Sequence, residues 1–544
     1  MKDTWLCKVV THPLFIFALL TTMLVGCNKA QETTQEQTKA QKPTVQQTSA
    51  TAPVCAKEPL PSLPDVRITS VAAESAPAPH CKVAGTIGKE IHFELLLPEN
   101  WNGKFVMGGG GGFVGSVQNT SLMFGSLQAG YATVGTDTGH QDHPLSARWA
   151  HNNPERLVNF GHKAVHRTAV TAKALTKSYY QNEIARSYFT GCSRGGGQGL
   201  MEAQRYPEDF DGIVAGAPAY NWAPGIAALT QISQAMYPDP NNLQEAVVGS
   251  KEQELIESSY LAMCDEQDGI KDGILNDPRQ CKFDVTTLLC KDKKTDSCLS
   301  KQQLAAVKVV YDGPKDSKGN SLFYGFPFGG ETAEGGWSRW LTGGLKYQAG
   351  EEEFQSGVEA GDFEGPVAPS FHYGFGIGIM KYFVYNDPDW TYQNYNFDNL
   401  RKDSERVAEI LNATNPDLSS FRKRGGKLIL YSGWSDAAAP GAAVTGYYED
   451  VLAHDKTAAD DTRLFMMPGV EHCFGGPGPS FVNYLTEIDK WLESGKVPDQ
   501  VTAYWLDEKM QPNGSRPVCA YPKVAMYDGK GDSRDVASFS CVDN

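Results

Sequence analysis

The sequence lacks an excess of positive charge: 49 Lys and Arg stand against 64 Asp and Glu, a formal net charge of −15 over 544 residues. That balance argues against nucleic acid or anionic lipid headgroups as the main partner. It also lacks a long apolar run. The longest candidate, Pro13 to Val25, is too short for a comfortable transmembrane helix. From Asn28 to about Val54 apolar side chains are almost absent, and Gln, Thr, Lys and Ala dominate. Such a segment cannot bury enough surface to offset its ordering entropy, so no fold is expected there. No internal repeat is evident.

What the N-terminus does have is an address. Lys2 and Lys8 precede the apolar run, which reads as a secretory signal over residues 1–26. Leu24-Val25-Gly26-Cys27 looks like a bacterial lipoprotein cleavage box, with Cys27 as the lipidated first residue of the mature chain. Asn28, rather than Asp, then points to the outer membrane of a Gram-negative cell; a plain secreted protein cleaved nearby is the alternative. Residues 27–54 become a flexible tether. Cys7 and Cys27 aside, ten of the twelve cysteines remain, an even number in an exported chain, which implies disulfides. Spacing suggests Cys55 with Cys81, Cys264 with Cys281, Cys290 with Cys298 and Cys519 with Cys541. Cys192 and Cys473 are left, far apart in sequence.

Further along, strand and helix patterns alternate. "KEIHFELLLPENWNGKFVMGGGGGFVG" alternates apolar and polar residues into a glycine loop, and "GYATVGTDTGH" is another short strand. Lys163 to Tyr180 has helical spacing without Gly or Pro. "RSYFTG" is a strand, "GQGLMEAQRY" a helix stopped by Pro207, and "DGIVAGAP" a strand. This is an α/β pattern, a parallel sheet with helices on both faces. After Pro218 the alternation fades into aromatics, glycines and local cysteine pairs. It resumes at "GGKLILYSGWSD", with "TRLFMMPGVEHC" next, then the helix "DKWLESGKVPDQ" and a late strand "VTAYWL". The reading is a core over 55–219 and 426–544, with a lid domain inserted over 220–425.

Gly191-Cys192-Ser193-Arg194-Gly195 fits Gly-x-Ser-x-Gly, a pattern that alone also describes structural glycine turns. Context strengthens it, because Ser193, Asp436 and His472 each follow a strand and stand in the chain order of an α/β-hydrolase triad. A serine hydroxyl is a poor nucleophile at neutral pH and needs an imidazole to take its proton, here His472. Asp436 would orient the imidazole and stabilise its cation. The oxyanion needs fixed donors: the N–H of Arg194 and one from the loop 107–115, with Gly112 the candidate.

These stretches, "GCSRGG", "YSGWSDAAAPG" and "MPGVEHCFGGPG", resemble the tannase and feruloyl esterase family, which includes the mono(hydroxyethyl)terephthalate hydrolases. The resemblance runs from about Cys55 to the C-terminus and implies an α/β-hydrolase fold and serine esterase chemistry. It implies a disulfide between Cys192 and Cys473, and the four local pairs. It also bears on "CDEQDGIKDGILNDP": by spacing alone Asp265, Asp268 and Asp272 make a solvated acidic turn as readily as a cation site. The family implies a structural calcium ion there, completed by the carbonyls of Ile270 and Ile274. The implied substrates are esters of aromatic acids, clamped by lid aromatics; Trp337, Phe371, Phe375 and Phe383 are candidates, each of which could equally be lid core. Terephthalate monoester hydrolases hold the free carboxylate with a lid arginine, and no Arg occurs between Gln348 and Trp390. Lys381 is a substitute of a kind also found in feruloyl esterase-like members. The expectation is therefore an esterase of phenolic acid esters such as ferulate or gallate, with no organic cofactor and no protein partner evident. Terephthalate monoester hydrolysis and a non-catalytic aromatic-binding lipoprotein are the alternatives; nothing suggests a peptide groove.

Overall fold

Runs such as Ala132–Thr136 and Gly212–Gly216, buried at every position, are too short for helices and form strands covered on both faces. In the computed structural model, which describes residues 54–57, 60–343 and 368–544, nine strands make one sheet. The signal, Cys27 and the tether as far as Pro53 lie outside the described residues. In chain order the strands are β1 (Val66–Glu74), β2 (His80–Ile87), β3 (Ile91–Pro98), β4 (Lys104–Gly108), β5 (Ala132–Thr136), β6 (Arg186–Cys192), β7 (Gly212–Gly216), β8 (Lys427–Gly433) and β9 (Thr462–Met467). Their spatial order is β1-β2-β3-β5-β4-β6-β7-β8-β9.

The sheet is not parallel throughout, as the alternation alone predicted. From β5 to β9 every pair is parallel, but β1, β2 and β3 pair antiparallel, and β3 joins β5 antiparallel. The reason is connection length: the tight turns between these first strands can only reverse the chain, whereas parallel neighbours need a long crossover.

Alternate residues of the strands feed two cores. Phe189, Ile213, Leu428 and Leu430 meet the helices Ala164–Tyr180, Arg194–Arg205 and Gly441–His454. Tyr188, Val214, Ile429 and Tyr431 meet the helix Tyr484–Ser494. "VTAYWL" does form a strand, β10 (Gln500–Leu506), but it makes a two-stranded sheet with β11 (Pro512–Cys519), apart from the main sheet. Val501, Ala503 and Val518 of this pair cover the second core.

Between β7 and β8 the chain leaves the sheet through the helices Trp222–Met236, Ser250–Cys264, Lys301–Asp312 and Phe371–Gly378. Ile232, Met236, Ile256, Tyr260, Val307 and Trp337 give this excursion a core of its own. Two local disulfides, Cys264–Cys281 and Cys290–Cys298, staple it; Cys55–Cys81 and Cys519–Cys541 do the same at the chain ends. Among the described residues no helix is long and apolar enough to cross a membrane.

Candidate active site

β6 ends at Cys192, and the helix Arg194–Arg205 begins at once, so Ser193 must turn the chain by itself. It does so at φ 61° and ψ −121°, a conformation that costs a non-glycine residue about 1–3 kcal/mol. Neighbouring backbone holds it there: its N–H donates to the Gly216 carbonyl at 2.9 Å, and its carbonyl accepts from Gly197 at 3.1 Å and Ala219 at 2.9 Å. A Cβ on Gly191 would stand 2.5 Å from the Gly195 carbonyl carbon, and one on Gly196 would overlap the Gly216 oxygen. The glycines let strand and helix approach closely enough to present the serine.

Asp436 follows β8 and His472 follows β9, and the loops carrying them lie side by side, with the Ser435 N–H donating to the Val470 carbonyl at 3.0 Å. His472 Nδ1 lies 2.9 Å from Asp436 Oδ2 and 3.1 Å from Oδ1. The carboxylate is buried, and its Oδ1 also accepts from the N–H groups of Ala438 at 2.7 Å and Ala439 at 2.9 Å. An acceptor at Nδ1 requires the proton there, which leaves Nε2 free to act as a base. Among the described residues Nε2 has no partner, and His472 lines the same cavity as Ser193. Cys192 and Cys473, the neighbours of Ser193 and His472, form a disulfide with their Cα atoms 5.9 Å apart.

The glycine loop packs on the serine turn: a Cβ on Gly109 would lie 2.8 Å from the Gly195 Cα. Gln198 of the following helix accepts from the Gly110 N–H at 3.2 Å, and Gln118 from the Gly111 N–H at 2.7 Å. Gly112, at φ 56°, and Arg194 both line the cavity beside Ser193. The Arg194 side chain points elsewhere. It is fully buried, donates to the carbonyls of Phe160 at 2.5 Å and Gly161 at 2.8 Å, and lies over the rings of Phe160 and Trp222. Burial pushes the guanidinium down to about 9, still a cation at neutral pH.

The cavity measures about 860 Å³ with its open mouth, and its walls are mostly apolar, with Trp222, Phe323, Phe326, Trp340 and Phe375 prominent. That size suits a small aromatic ligand. Of the four aromatics singled out by sequence, Phe375 lines it. Phe371 stands behind, edge-on to Trp340 and Phe375. Phe383 packs among Phe113, Trp149 and Phe160, and Trp337 is core against Tyr311. Trp340 was missed, although it sits three residues from Trp337. Its ring stacks with Phe375 and lies edge-on to His472, centroids 4.9 Å apart. No periodicity distinguishes the two tryptophans.

In the acidic loop, Asp265 and Asp268 are buried. Asp265 Oδ1 accepts from the Gly273 N–H at 2.7 Å, and Asp268 Oδ1 from Ile270 at 3.1 Å. Asp272 accepts from the Ile274 N–H at 3.1 Å and pairs with Arg516 at 2.5 Å. Burial, then the charges of Asp272 and Asp265, push the Asp268 carboxyl up to about 6, held back by the Ile270 N–H and by Arg516. The loop, turned at Gly269 and Gly273 with φ 90° and 78°, offers the oxygen donors a hard cation takes, although the three carboxylates do not all lie within 4.8 Å of one another. Among the described residues one trio has ligand atoms within 4.8 Å of one another, and it is a different one: His166, Glu202 and Asp209. There His166 Nδ1 lies 2.6 Å from Asp209 Oδ2, and the Lys173 ammonium is close enough to act on Glu202. Burial and then the charge of Asp209 raise the Glu202 carboxyl well above its usual range, opposed by Lys173.

The parallel strands, the serine turn between β6 and its helix, and the Asp–His pair at the ends of β8 and β9 define an α/β-hydrolase. A family model described as tannase and feruloyl esterase matches residues 75–542. The chain is 32% identical over 530 residues to the mono(2-hydroxyethyl) terephthalate hydrolase of Piscinibacter sakaiensis, covering 87% of this chain and 86% of that one. It is 31% identical over 475 residues to feruloyl esterase B of Aspergillus niger, covering 82% and 83%. Among solved structures, an esterase from Aspergillus oryzae superposes with a TM-score of 0.77 at 25% identity, covering 89% of this chain and 98% of that one. Feruloyl esterase B from the same organism gives 0.75 at 27% identity, covering 88% and 97%. The chain belongs to the tannase and feruloyl esterase family. It is a carboxylic ester hydrolase.

Proposed function

We propose that the protein hydrolyses esters of phenolic acids, of the ferulate or gallate kind, through an acyl-enzyme on Ser193. The observation that carries this is one cavity holding Ser193, the Asp436-oriented His472 and a wall of aromatic rings. Ser193 Oγ attacks the ester carbon while His472 Nε2 takes its proton. The N–H groups of Arg194 and Gly112 receive the oxyanion. The intermediate collapses, the alcohol leaves with the proton from His472, and water releases the acid by the same steps.

An uncharged acyl ring is favoured because the one permanently charged residue among the described lining residues, Arg194, is buried, with its Nη2 on the carbonyls of Phe160 and Gly161 and its guanidinium over the rings of Phe160 and Trp222. A terephthalate monoester would bring a carboxylate for which the described lining residues offer no cation besides the buried Arg194, and burying it unpaired is costly. Hydrolysis of methyl ferulate, methyl gallate and mono(2-hydroxyethyl) terephthalate by the mature chain, beside Ser193→Ala, tests the reading. Turnover of the first two, lost in the variant, supports it. Preference for the terephthalate ester would move the assignment to the relative's activity, and ring binding without turnover to a capture protein.

The helical excursion over 220–425 acts as the lid, in this reading. Asp265, Asp268 and Asp272, with the carbonyls of Ile270 and Ile274, hold a structural calcium ion that cross-links the acidic loop. Export, with Cys27 lipidated and anchored in the outer membrane, agrees with the apolar run before it and with five disulfides in the mature chain.

A further inference from the structure

Glu471 immediately precedes His472, yet it is absent from the cavity wall and 5% exposed. A buried carboxylate beside a working histidine must have a local reason. Its backbone N–H closes the histidine turn on the Gly475 carbonyl at 3.2 Å. Its side chain reaches the other way, to the glycine-rich loop that enters the short helix Trp337–Trp340. Gly335 packs directly on the carboxylate: a Cβ there would overlap Oε2, and the Gly335 N–H favours the charged form, while Oε1 is buried with no partner among the described residues. The same loop lies on the aspartate side of the site as well: a Cβ on Gly329 would stand 2.8 Å from Ser435 Oγ, and one on Gly330 3.0 Å from Ser435 Cβ. The loop is thus docked on both triad loops, and Glu471 supplies the charged contact. What the docked helix delivers is Trp340, edge-on to His472 and stacked with Phe375 in the cavity.

Resting on the esterase reading above, we propose that Glu471 is a positioning residue: its carboxylate accepts from the Gly335 N–H and so holds Trp340 against His472 as the wall that seats the acyl ring. The groups facing it are the Gly335 N–H and the Arg339 guanidinium, with Asp436 and Glu334 as like charges. Burial and the like charges push the Glu471 carboxyl up to about 7, against the Gly335 N–H and Arg339. A carboxylate accepts more strongly than a neutral carboxyl, so the wall is firmest above that pH and loosens as pH falls through it.

The test compares KM for methyl ferulate and for methyl butyrate, whose acyl chain has no ring, across pH 5.5 to 8.5. Glu471→Ala should raise KM for the ferulate about tenfold, the worth of one hydrogen bond to a charged group, and leave the butyrate nearly unchanged. Glu471→Gln, whose amide oxygen can still accept from Gly335, should restore the ferulate KM and remove its rise below pH 7. Gly335→Ala, by displacing the carboxylate, should reproduce Glu471→Ala even where that variant folds poorly. Equal KM changes for both esters, failure of Gln to restore, or a Gln pH profile that superposes on wild type overturns the proposal. Ser193→Ala run alongside separates the two levels: turnover retained there sinks the esterase reading itself, and this inference with it.

Discussion

Cys192 and Cys473 are bonded across 281 residues of chain, and each is the direct neighbour of a residue the proposed chemistry depends on, Ser193 and His472. Two loops far apart in sequence are thereby held at a set separation beside the residues, Ser193 and His472, that line the cavity. In the chain-entropy account a cross-link over so long a loop stabilises by on the order of 5 kcal/mol, less any strain. The double variant Cys192→Ser/Cys473→Ser should unfold at a clearly lower temperature. It should also lose kcat/KM at temperatures where it remains folded. Calorimetry with parallel kinetics checks both; a folded variant with unchanged kcat/KM would restrict the bond to a stabilising role.

The glycines of the serine turn are not equivalent. A Cβ on Gly191 or Gly196 meets backbone, while one on Gly195 stands 3.4 Å from its nearest neighbour, the Gly109 Cα. Gly195→Ala should therefore fold and retain activity within about tenfold. Gly191→Ala and Gly196→Ala should lose folded, active protein. Soluble yield, circular dichroism and turnover of the three variants decide the matter, and a well-behaved Gly196→Ala would contradict the close packing seen here.

Glu331, fully buried, accepts from the Tyr311 hydroxyl at 2.7 Å and from the Gly329 N–H at 3.1 Å. Burial pushes its carboxyl up to about 7, partly offset by those donors. Its pKa is raised on folding, so the folded state holds a proton that the unfolded state releases. The resulting stability is complete below the unfolded value near 4.5 and is lost as pH rises through about 7. Glu331→Gln, which cannot titrate, should remove about 3 kcal/mol of pH dependence from the unfolding free energy across that window. Urea melts of both proteins at pH 4.5, 6 and 7.5 measure the difference, and parallel curves would refute it.

The calcium ion proposed for the acidic loop predicts a concentration-dependent melting temperature. Stripping the protein with a chelator should lower the midpoint, and returning calcium to a hundred times its dissociation constant should restore about 2.7 kcal/mol. Asp265→Ala and Asp268→Ala should abolish the response, whereas Ser193→Ala should keep it. A calcium-insensitive melt in the parent chain would leave the acidic loop as a turn held by Asp265, Asp268 and Arg516.

Much of the framework was legible because it is local. Short apolar runs marked β6, β7, β8 and β9, and helical spacing marked Ala164–Tyr180 to within a residue of the observed helix. The Gly-x-Ser-x-Gly turn announced a sharp strand-to-helix corner, and four of the five disulfides close loops of 26 residues or fewer. Where long-range packing decides, the same signals were mute. "VTAYWL" reads as a strand in any context, and only the cover it provides to Tyr188 and Val214 shows why it stands apart from the main sheet.

By itself, then, the sequence determined which residues end strands and in what order: a serine, an aspartate and a histidine on an α/β frame, with an excursion between β7 and β8. Dihedral preferences, turn chemistry and side-chain period act over a few residues and leave their trace in composition. Tertiary structure alone decided which groups meet. It placed His472 Nδ1 on Asp436, turned the Arg194 guanidinium away from the cavity, chose Trp340 over Trp337 as the wall, and buried Glu471 against Gly335. Such contacts join residues tens to hundreds apart, and their selection rests on close packing of the whole fold, which no local pattern encodes.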